Sequence, residues 1–145
     1  MIGSIVRSVV AVIVGLIAAM VVVVGNEALS SILHPVPPGF DATSNEAMKA
    51  HVARYPAWVL LLGGWGWGLA TFVSSWLATR LGSGRHPAHG IVIGSILLAG
   101  AVANMLMLPY PIWFWVENLV LFPVCFILGA MLGKPPSSTG QSAAA

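Results

Sequence analysis

The sequence predicts an all-α membrane protein, with four transmembrane helices in an up-down bundle and a short helix in the outer loop. Two observations predict this class. Of the 145 residues, 58% are hydrophobic and only 7% are charged, and the mean hydropathy is +0.93, which is unlike a soluble domain. In addition, four stretches reach the roughly 20 apolar residues that a helix needs to cross a hydrocarbon core about 30 Å thick.

The four predicted spans cover residues 9–33, 57–79, 90–108 and 112–132. The first is rich in Val and Ile, which favour helices poorly in water, but a backbone in lipid must satisfy its own polar groups and therefore forms a helix. A cleaved signal peptide is the alternative for this span, since Arg7 precedes it, but no small-x-small cleavage site follows Val24. Pro109-Tyr110-Pro111 predicts a tight link between the last two spans.

Residues 1–133 are thus predicted to form one transmembrane domain, and the Pro-, Ser- and Ala-rich residues 134–145 a disordered cytoplasmic tail. Basic residues mark the cytoplasmic side of a membrane protein. Four of them fall on one side of the four-span arrangement, namely Arg7, Arg80, Arg85 and Lys134. Both termini are therefore predicted to be cytoplasmic, and the loop of residues 34–56 to lie outside.

The outer loop contains the signals of a short helix. Thr43 and Glu46 have the spacing of a capping box, and Met48, Val52 and Tyr55 share one face of the helix that follows. This face is expected to cover the membrane surface or the bundle. A simple surface connection is favoured over a gate.

Each span carries a pair of small residues four positions apart, which lets two helix backbones approach closely. The pairs are Gly15 and Ala19, Gly64 and Gly68, Gly90 and Gly94, and Gly129 and Gly133. Packing within one bundle is favoured over a dimerisation face, and a homo-oligomer or a larger membrane complex stays open. Trp65 and Trp67 lie deeper than the other aromatic residues of the outer side and must point to different faces of their helix. Packing or lipid contact is favoured for them over an aromatic-lined pocket.

Polar residues inside the spans are the most informative feature of the sequence. They form a candidate intramembrane cluster of six residues, Asn26, Glu27, His34, Asn104, Glu117 and Asn118. Glu27 lies about 10 Å inside the outer end of its helix and Glu117 about 9 Å inside the end of the fourth span, at 1.5 Å per residue. The cluster is therefore expected at one depth in the outer half of the membrane.

Two interpretations of this cluster are open. A carboxylate in hydrocarbon costs a few kcal/mol, so it faces the bundle interior, holds a proton or has a partner. Glu27 and Glu117 either form a pocket for a proton or a cation, or serve with the Asn amides as interhelical glue, paired with Arg54 or Lys49. His34 has suitable chemistry to join a site with the two glutamates.

No enzyme signature is present, so no catalytic residue and no cofactor are predicted. No metal site is predicted either. His86 and His89 are separated by Pro87 and lie in a loop with no carboxylate or Cys nearby. With six basic and four acidic residues, the chain has too few basic side chains to form the positive surface patch that nucleic-acid binding requires. The expected partner is the lipid bilayer.

The residues that carry a family resemblance are Asn26-Glu27, His34-Pro35, Pro37, Gly39, the segment from Asn104 to Pro109, Pro111-x-Trp113, Pro123 and Gly129. With them the chain resembles a group of small bacterial four-span inner-membrane proteins of unknown function. The resemblance implies a multi-pass protein of the bacterial inner membrane. The chain is also similar in size to small multidrug resistance exporters, from which its long first loop and off-centre glutamate distinguish it. A non-enzymatic membrane component or accessory subunit is expected, and the alternative is a small proton- or cation-coupled transporter that uses Glu27 and Glu117.

Overall fold

In the computed structural model, which describes residues 2–135, the chain folds into helices joined by short loops. Five α-helices occur in this range: α1 (Ile2–Leu33), α2 (Asn45–Val52), α3 (Ala57–Leu81), α4 (Ala88–Met107) and α5 (Ile112–Leu132). All but α2 are long and apolar enough to cross a membrane. The predicted fold class, with its four spans and its short helix in the first loop, is confirmed.

Helix α1 extends beyond the predicted first span of residues 9–33, since it begins at Ile2. Its early turns are fixed by contacts at the end of the bundle opposite α2. The guanidinium Nε of Arg7 donates to the Leu81 carbonyl over 2.8 Å, and the Ser8 hydroxyl lies 2.9 Å from Nε2 of His89. These bonds tie α1 to the end of α3 and the start of α4. The tail prediction for residues 134–145 falls mostly on residues 136–145, which lie outside the described residues.

Helix α3 is the centre of the bundle, since it packs against α1, α4 and α5. Its buried face carries hydroxyl groups, and those of Thr71 and Thr79 make hydrogen bonds with the backbone of α3 and of α4. The Thr71 hydroxyl donates to the Trp67 carbonyl, and the Thr79 hydroxyl accepts from the backbone N–H of Gly90 in α4. Such bonds allow polar side chains in a core that lipid surrounds.

The small residues lie where the helices approach each other most closely. A Cβ atom at Gly129 of α5 would lie 2.5 Å from the Phe72 carbonyl oxygen of α3, and a Cβ at Gly90 would lie 2.6 Å from the Ser75 carbonyl oxygen. No side chain fits at such distances. These glycines are therefore used for packing within the chain.

The capping residue of α2 is not the predicted one. Ser44 caps the helix by accepting from the backbone N–H of Ala47. Thr43 instead donates its hydroxyl, over 2.7 Å, and its backbone N–H to the carboxylate of Asp41. Because Thr43 is engaged in this turn with Asp41, it is not available to cap α2. The two bonds from Thr43 also hold the pKa of Asp41 below its ordinary value.

Candidate ligand-binding cavity

A cavity of about 430 Å³ lies between α2 and the ends of the long helices, and we call it the vestibule. Its size falls in the range of small-molecule sites. The lining comes from every helix and from the α2–α3 and α4–α5 links: Glu27, Ser30, Asn45, Met48, His51, Val52, Tyr55, Val59, Leu60, Gly63, Trp67, Asn104, Met107, Leu108, Tyr110 and Phe114. This lining contains one carboxylate and no Lys or Arg.

A second cavity, of about 490 Å³, lies deeper between α1 and α4, and we call it the lateral cavity. Its lining is largely apolar: Val23, Glu27, Trp67, Ala70, Thr71, Ile96, Leu97, Gly100, Ala101, Asn104 and Phe122. Toward the opposite end of the bundle α1 and α4 are in close contact, because a Cβ atom added at Gly15 would lie only 2.8 Å from Cδ1 of Ile93. The two helices therefore diverge toward the α2 end, and the lateral cavity is the space between them.

Three residues line both cavities and so mark their boundary: Glu27, Trp67 and Asn104. The indole N–H of Trp67 donates to Oε1 of Glu27 over 3.3 Å. Glu27 forms no ion pair with any basic residue of the described chain, and the Asn104 side chain makes no hydrogen bond within residues 2–135. Glu27, whose one partner in the described chain is the Trp67 indole, and the Asn104 amide thus face the two spaces from α1 and α4.

Aromatic rings form one wall of the vestibule. The ring of Tyr110 stacks on Phe114 at a centroid distance of 4.6 Å, and Trp67 meets Tyr110 edge-on at 6.3 Å. Burial, and secondarily the nearby charge of Glu27, raises the pKa of Tyr110 above its ordinary value, and the same two causes raise the pKa of Tyr55. Both phenols are therefore neutral at physiological pH and can donate a hydrogen bond.

A group of rings holds α2 over the vestibule. His34, at the end of α1, stacks on His51 of α2 at 4.8 Å and packs against Tyr55 at 4.5 Å. His51 is buried. Its pKa is lowered by this burial first, and then by the positive charges that His34 and Arg54 can carry. His34 belongs to this ring group and not to the vestibule lining.

Asn26 joins α1 to α3 by a hydrogen bond. Its amide donates to the Gly63 carbonyl of α3 over 3.0 Å, and its side chain occupies the space that a Cβ at Gly66 would need. Asn26 is therefore a packing residue, although it precedes Glu27 directly.

Glu117 and Asn118 lie at another helix contact, between α3 and α5. A Cβ at Gly64 would lie 3.2 Å from Oε1 of Glu117 and 3.3 Å from Nδ2 of Asn118. Asn118 is fully buried and its amide donates to the Phe114 carbonyl over 2.8 Å. Both carboxylate oxygens of Glu117 are buried without a hydrogen-bond partner in the described chain, since the nearby Trp65 indole lacks the geometry of a hydrogen bond.

The predicted cluster is therefore divided by α3. Glu27 and Asn104 face a common space, whereas no contact joins Glu27 to Glu117 in the described part of the chain, and Glu117 lines neither cavity. Lys49 and Arg54 form no ion pair with either glutamate within residues 2–135. Within the same range no three His, Cys, Asp or Glu residues come together in a way that would hold a metal ion.

Sequence reasoning identified the aromatic members of the site only in part, because an aromatic-lined pocket at Trp65 and Trp67 was the less favoured alternative. Tyr55 and Tyr110 resemble interfacial anchors in the sequence, because they flank the spans. For Trp67 the sequence does contain an indication. Trp67 lies four residues after Gly63 and therefore on the same face of α3, whereas Trp65, two residues after Gly63, cannot share that face. In the structure Trp67 lines both cavities, whereas Trp65 lines neither and is 65% exposed.

Comparisons of this chain with known protein families, with curated proteins and with solved structures found no match.

Proposed function

We propose that this protein is a small, non-enzymatic membrane carrier that takes a small ligand into the vestibule and holds it at Glu27. One observation carries the proposal: the Glu27 carboxylate lies inside a span, faces two cavities and has no cationic partner in the described chain. An ionisable group in a span is costly to keep, and such groups commonly belong to binding or transport sites. The vestibule also has the size, the apolar walls and the few polar groups of a ligand site.

The proposal includes a bacterial inner membrane and cytoplasmic termini. The basic residues Arg7, Arg80, Arg85 and Lys134 support this orientation, because they gather at the end of the bundle opposite α2. In this orientation the vestibule faces outward, and α2 forms its cover. Exchange of a proton or a cation at Glu27 would couple ligand movement to an ion gradient.

The experiment begins with thermal unfolding of the detergent-solubilised protein against a library of cationic, neutral and anionic small molecules. A ligand of the vestibule raises the unfolding temperature of the wild type, but not that of Glu27→Gln. Glu46→Gln is the matched control, because Glu46 is an exposed acid of α2 outside the vestibule lining. Counterflow of the best ligand in proteoliposomes then tests transport. A library that yields no stabilising ligand would contradict the proposal.

A second candidate function is an accessory membrane component. Helix α1 favours it, because only 17% of its most apolar 18-residue window is buried, which leaves a long face free for another helix. Purification of the tagged protein from native membranes in a gentle detergent tests this candidate. A partner recovered in fixed ratio would support it, and recovery of the protein alone would favour the carrier.

A further inference from the structure

The vestibule and the lateral cavity differ in polarity and meet at Glu27, and these two facts indicate which kind of ligand they bind. We infer that the ligand is an amphiphile with a small organic ammonium head, which binds at Glu27 in the vestibule while its apolar tail lies in the lateral cavity. This inference rests on the proposed ligand-binding function and specifies its substrate class.

The head group follows from charge and from the aromatic wall. Glu27 is the one carboxylic acid of the vestibule lining, and the lining contains no Lys or Arg that would pair with it. Trp67, Tyr55 and Tyr110 present rings to the same space, and the faces of such rings attract cations. A metal ion is a poor fit, because hard cations are usually held by several oxygen ligands that include more than one carboxylate, and Glu27 is the one carboxylate of the lining. An organic ammonium group uses both the carboxylate and the rings.

The tail follows from the composition of the lateral cavity. Val23, Ile96, Leu97 and Phe122 supply apolar walls. The Thr71 hydroxyl offers little to a polar ligand, since it is already bonded to the Trp67 carbonyl over 2.9 Å. The other polar groups of the lining are Glu27, Asn104 and the indole N–H of Trp67, and all three lie at the boundary with the vestibule. The vestibule is thus the more polar cavity and suits the head of an amphiphile, and the lateral cavity is the more apolar one and suits its tail.

The position of the lateral cavity indicates how such a ligand enters. Ile96, Gly100 and Asn104 of α4 are exposed on the side of the bundle where α1 and α4 diverge. An alkyl chain can enter there from the lipid while its head stays near the α2 end. The same chemistry is offered by an aminolipid and by a free cationic amphiphile, and the experiment distinguishes these two sources.

Gly100 provides a specific test of the tail. A Cβ at this position meets no atom within 4 Å, and Gly100 lines the lateral cavity, so the side chain of Gly100→Leu is expected to take up part of that space. Gly25→Leu is the matched control, because Gly25 of α1 is equally open and lines neither cavity. Both substitutions remove a helix glycine, and their effects on helix propensity are therefore alike.

The measurement is isothermal titration calorimetry on the full chain in phosphatidylglycerol nanodiscs, with empty nanodiscs subtracted. The probes are butyltrimethylammonium, octyltrimethylammonium, octanol and octyl sulfate. We expect octyltrimethylammonium to bind the wild type and to bind Glu27→Gln about tenfold more weakly, since the charge-assisted contact is lost. Gly100→Leu should weaken the octyl probe by roughly tenfold and leave the butyl probe unchanged, because only the longer tail needs the lateral cavity. Gly25→Leu should behave as the wild type.

Two results would overturn the inference. If octanol or octyl sulfate binds as tightly and with the same dependence on Glu27, a ligand site exists but its class is not an ammonium amphiphile. If none of the probes binds, the inference fails, and the library screen decides separately whether the proposed function fails with it. If Glu27→Gln does not fold, Gly100→Leu still tests the inference, because the difference between its octyl and butyl probes does not depend on the Glu27 variant.

Native mass spectrometry of protein released from mixed phosphatidylethanolamine and phosphatidylglycerol nanodiscs identifies the source. Retention of phosphatidylethanolamine by the wild type but not by Glu27→Gln supports the inference with a lipid head group as the ligand. Equal retention of both lipids, together with binding of octyltrimethylammonium, supports it with a free amphiphile. Retention of phosphatidylglycerol in preference would contradict it.

Discussion

The indole nitrogen of Trp67 lies 3.3 Å from Oε1 of Glu27, so α3 fixes the orientation of the carboxylate that α1 presents to the vestibule. Trp67→Phe removes this N–H and part of the ring surface that faces a bound cation. We expect ligand affinity to fall about three- to tenfold, because one hydrogen bond to a charged group and part of a cation–π contact are lost. Titration calorimetry on the ligand from the screen measures this. Unchanged affinity would exclude Trp67 from the site.

Asn26 and Asn104 provide a matched pair of predictions. Asn26→Ala should lower the free energy of unfolding by about 1–2 kcal/mol, since it removes the hydrogen bond to the Gly63 carbonyl and leaves a gap beside Gly66. Asn104→Ala should leave stability nearly unchanged, because its side chain has no hydrogen bond within the described chain. Thermal unfolding in one detergent compares them. Equal losses would show that Asn104 also acts as glue.

Glu117 is predicted to cost stability. Its two carboxylate oxygens are buried between α3 and α5 without hydrogen bonds in residues 2–135. Glu117→Met keeps the length of the side chain and removes both oxygens, so we expect a gain of about 1–3 kcal/mol in unfolding free energy. Denaturant titration tests the sign. A loss of stability would mean that the carboxyl group has a stabilising partner in the folded protein, such as the nearby Trp65 indole.

The close approach of α3 and α5 depends on Gly129. In Gly129→Ala the new methyl group would lie 2.5 Å from the Phe72 carbonyl oxygen, so the helices must separate. We expect a loss of about 1–3 kcal/mol from this overpacking. Gly25→Ala, at a position with open space around it, should not destabilise the protein. Thermal unfolding of the two variants gives the comparison, and similar unfolding temperatures would argue against tight α3–α5 packing.

Acid should loosen α2. The pKa of His51 is lowered from its ordinary value of 6.5 by burial, by His34 and by Arg54. The folded loop therefore takes up a proton less readily than the unfolded loop, and its stability falls as the pH drops below 6.5 toward the lowered pKa. Hydrogen exchange of the α2 amides, corrected for intrinsic rates, should be faster at about pH 5.5 than at about pH 7.5. His51→Gln should reduce this difference, whereas His86→Gln, at the opposite end, should not.

Hydropathy was sufficient to predict the four spans, because crossing lipid imposes a length and a composition that few residues can disguise. Hydropathy does not predict that α1 continues before the first span through Arg7 and Ser8, because these residues are polar and their partners, Leu81 and His89, are distant in sequence. The capping of α2 was wrong by one residue for a local reason, because the Asp41 turn competes for Thr43.

The candidate site was only partly accessible from the sequence. Depth along each helix placed Glu27, Asn104 and Glu117 at one level, but depth carries no information about rotation around the bundle. The central position of α3 separates Glu117, which packs at Gly64, from Glu27, which meets Trp67. The cavities depend on the divergence of α1 and α4, which is a property of packing and leaves no local pattern in the sequence.

Whether Glu27 contacts the ligand is decided by the dissociation constants of the best library ligand for the wild type, Glu27→Gln and Glu117→Gln, measured under one condition. Glu27 faces both cavities and Glu117 faces neither. We expect Glu27→Gln to weaken binding about tenfold or more and Glu117→Gln to bind as the wild type does. Equal loss in both variants, or unchanged binding in Glu27→Gln, would contradict the assignment of Glu27 as the ligand-contacting residue.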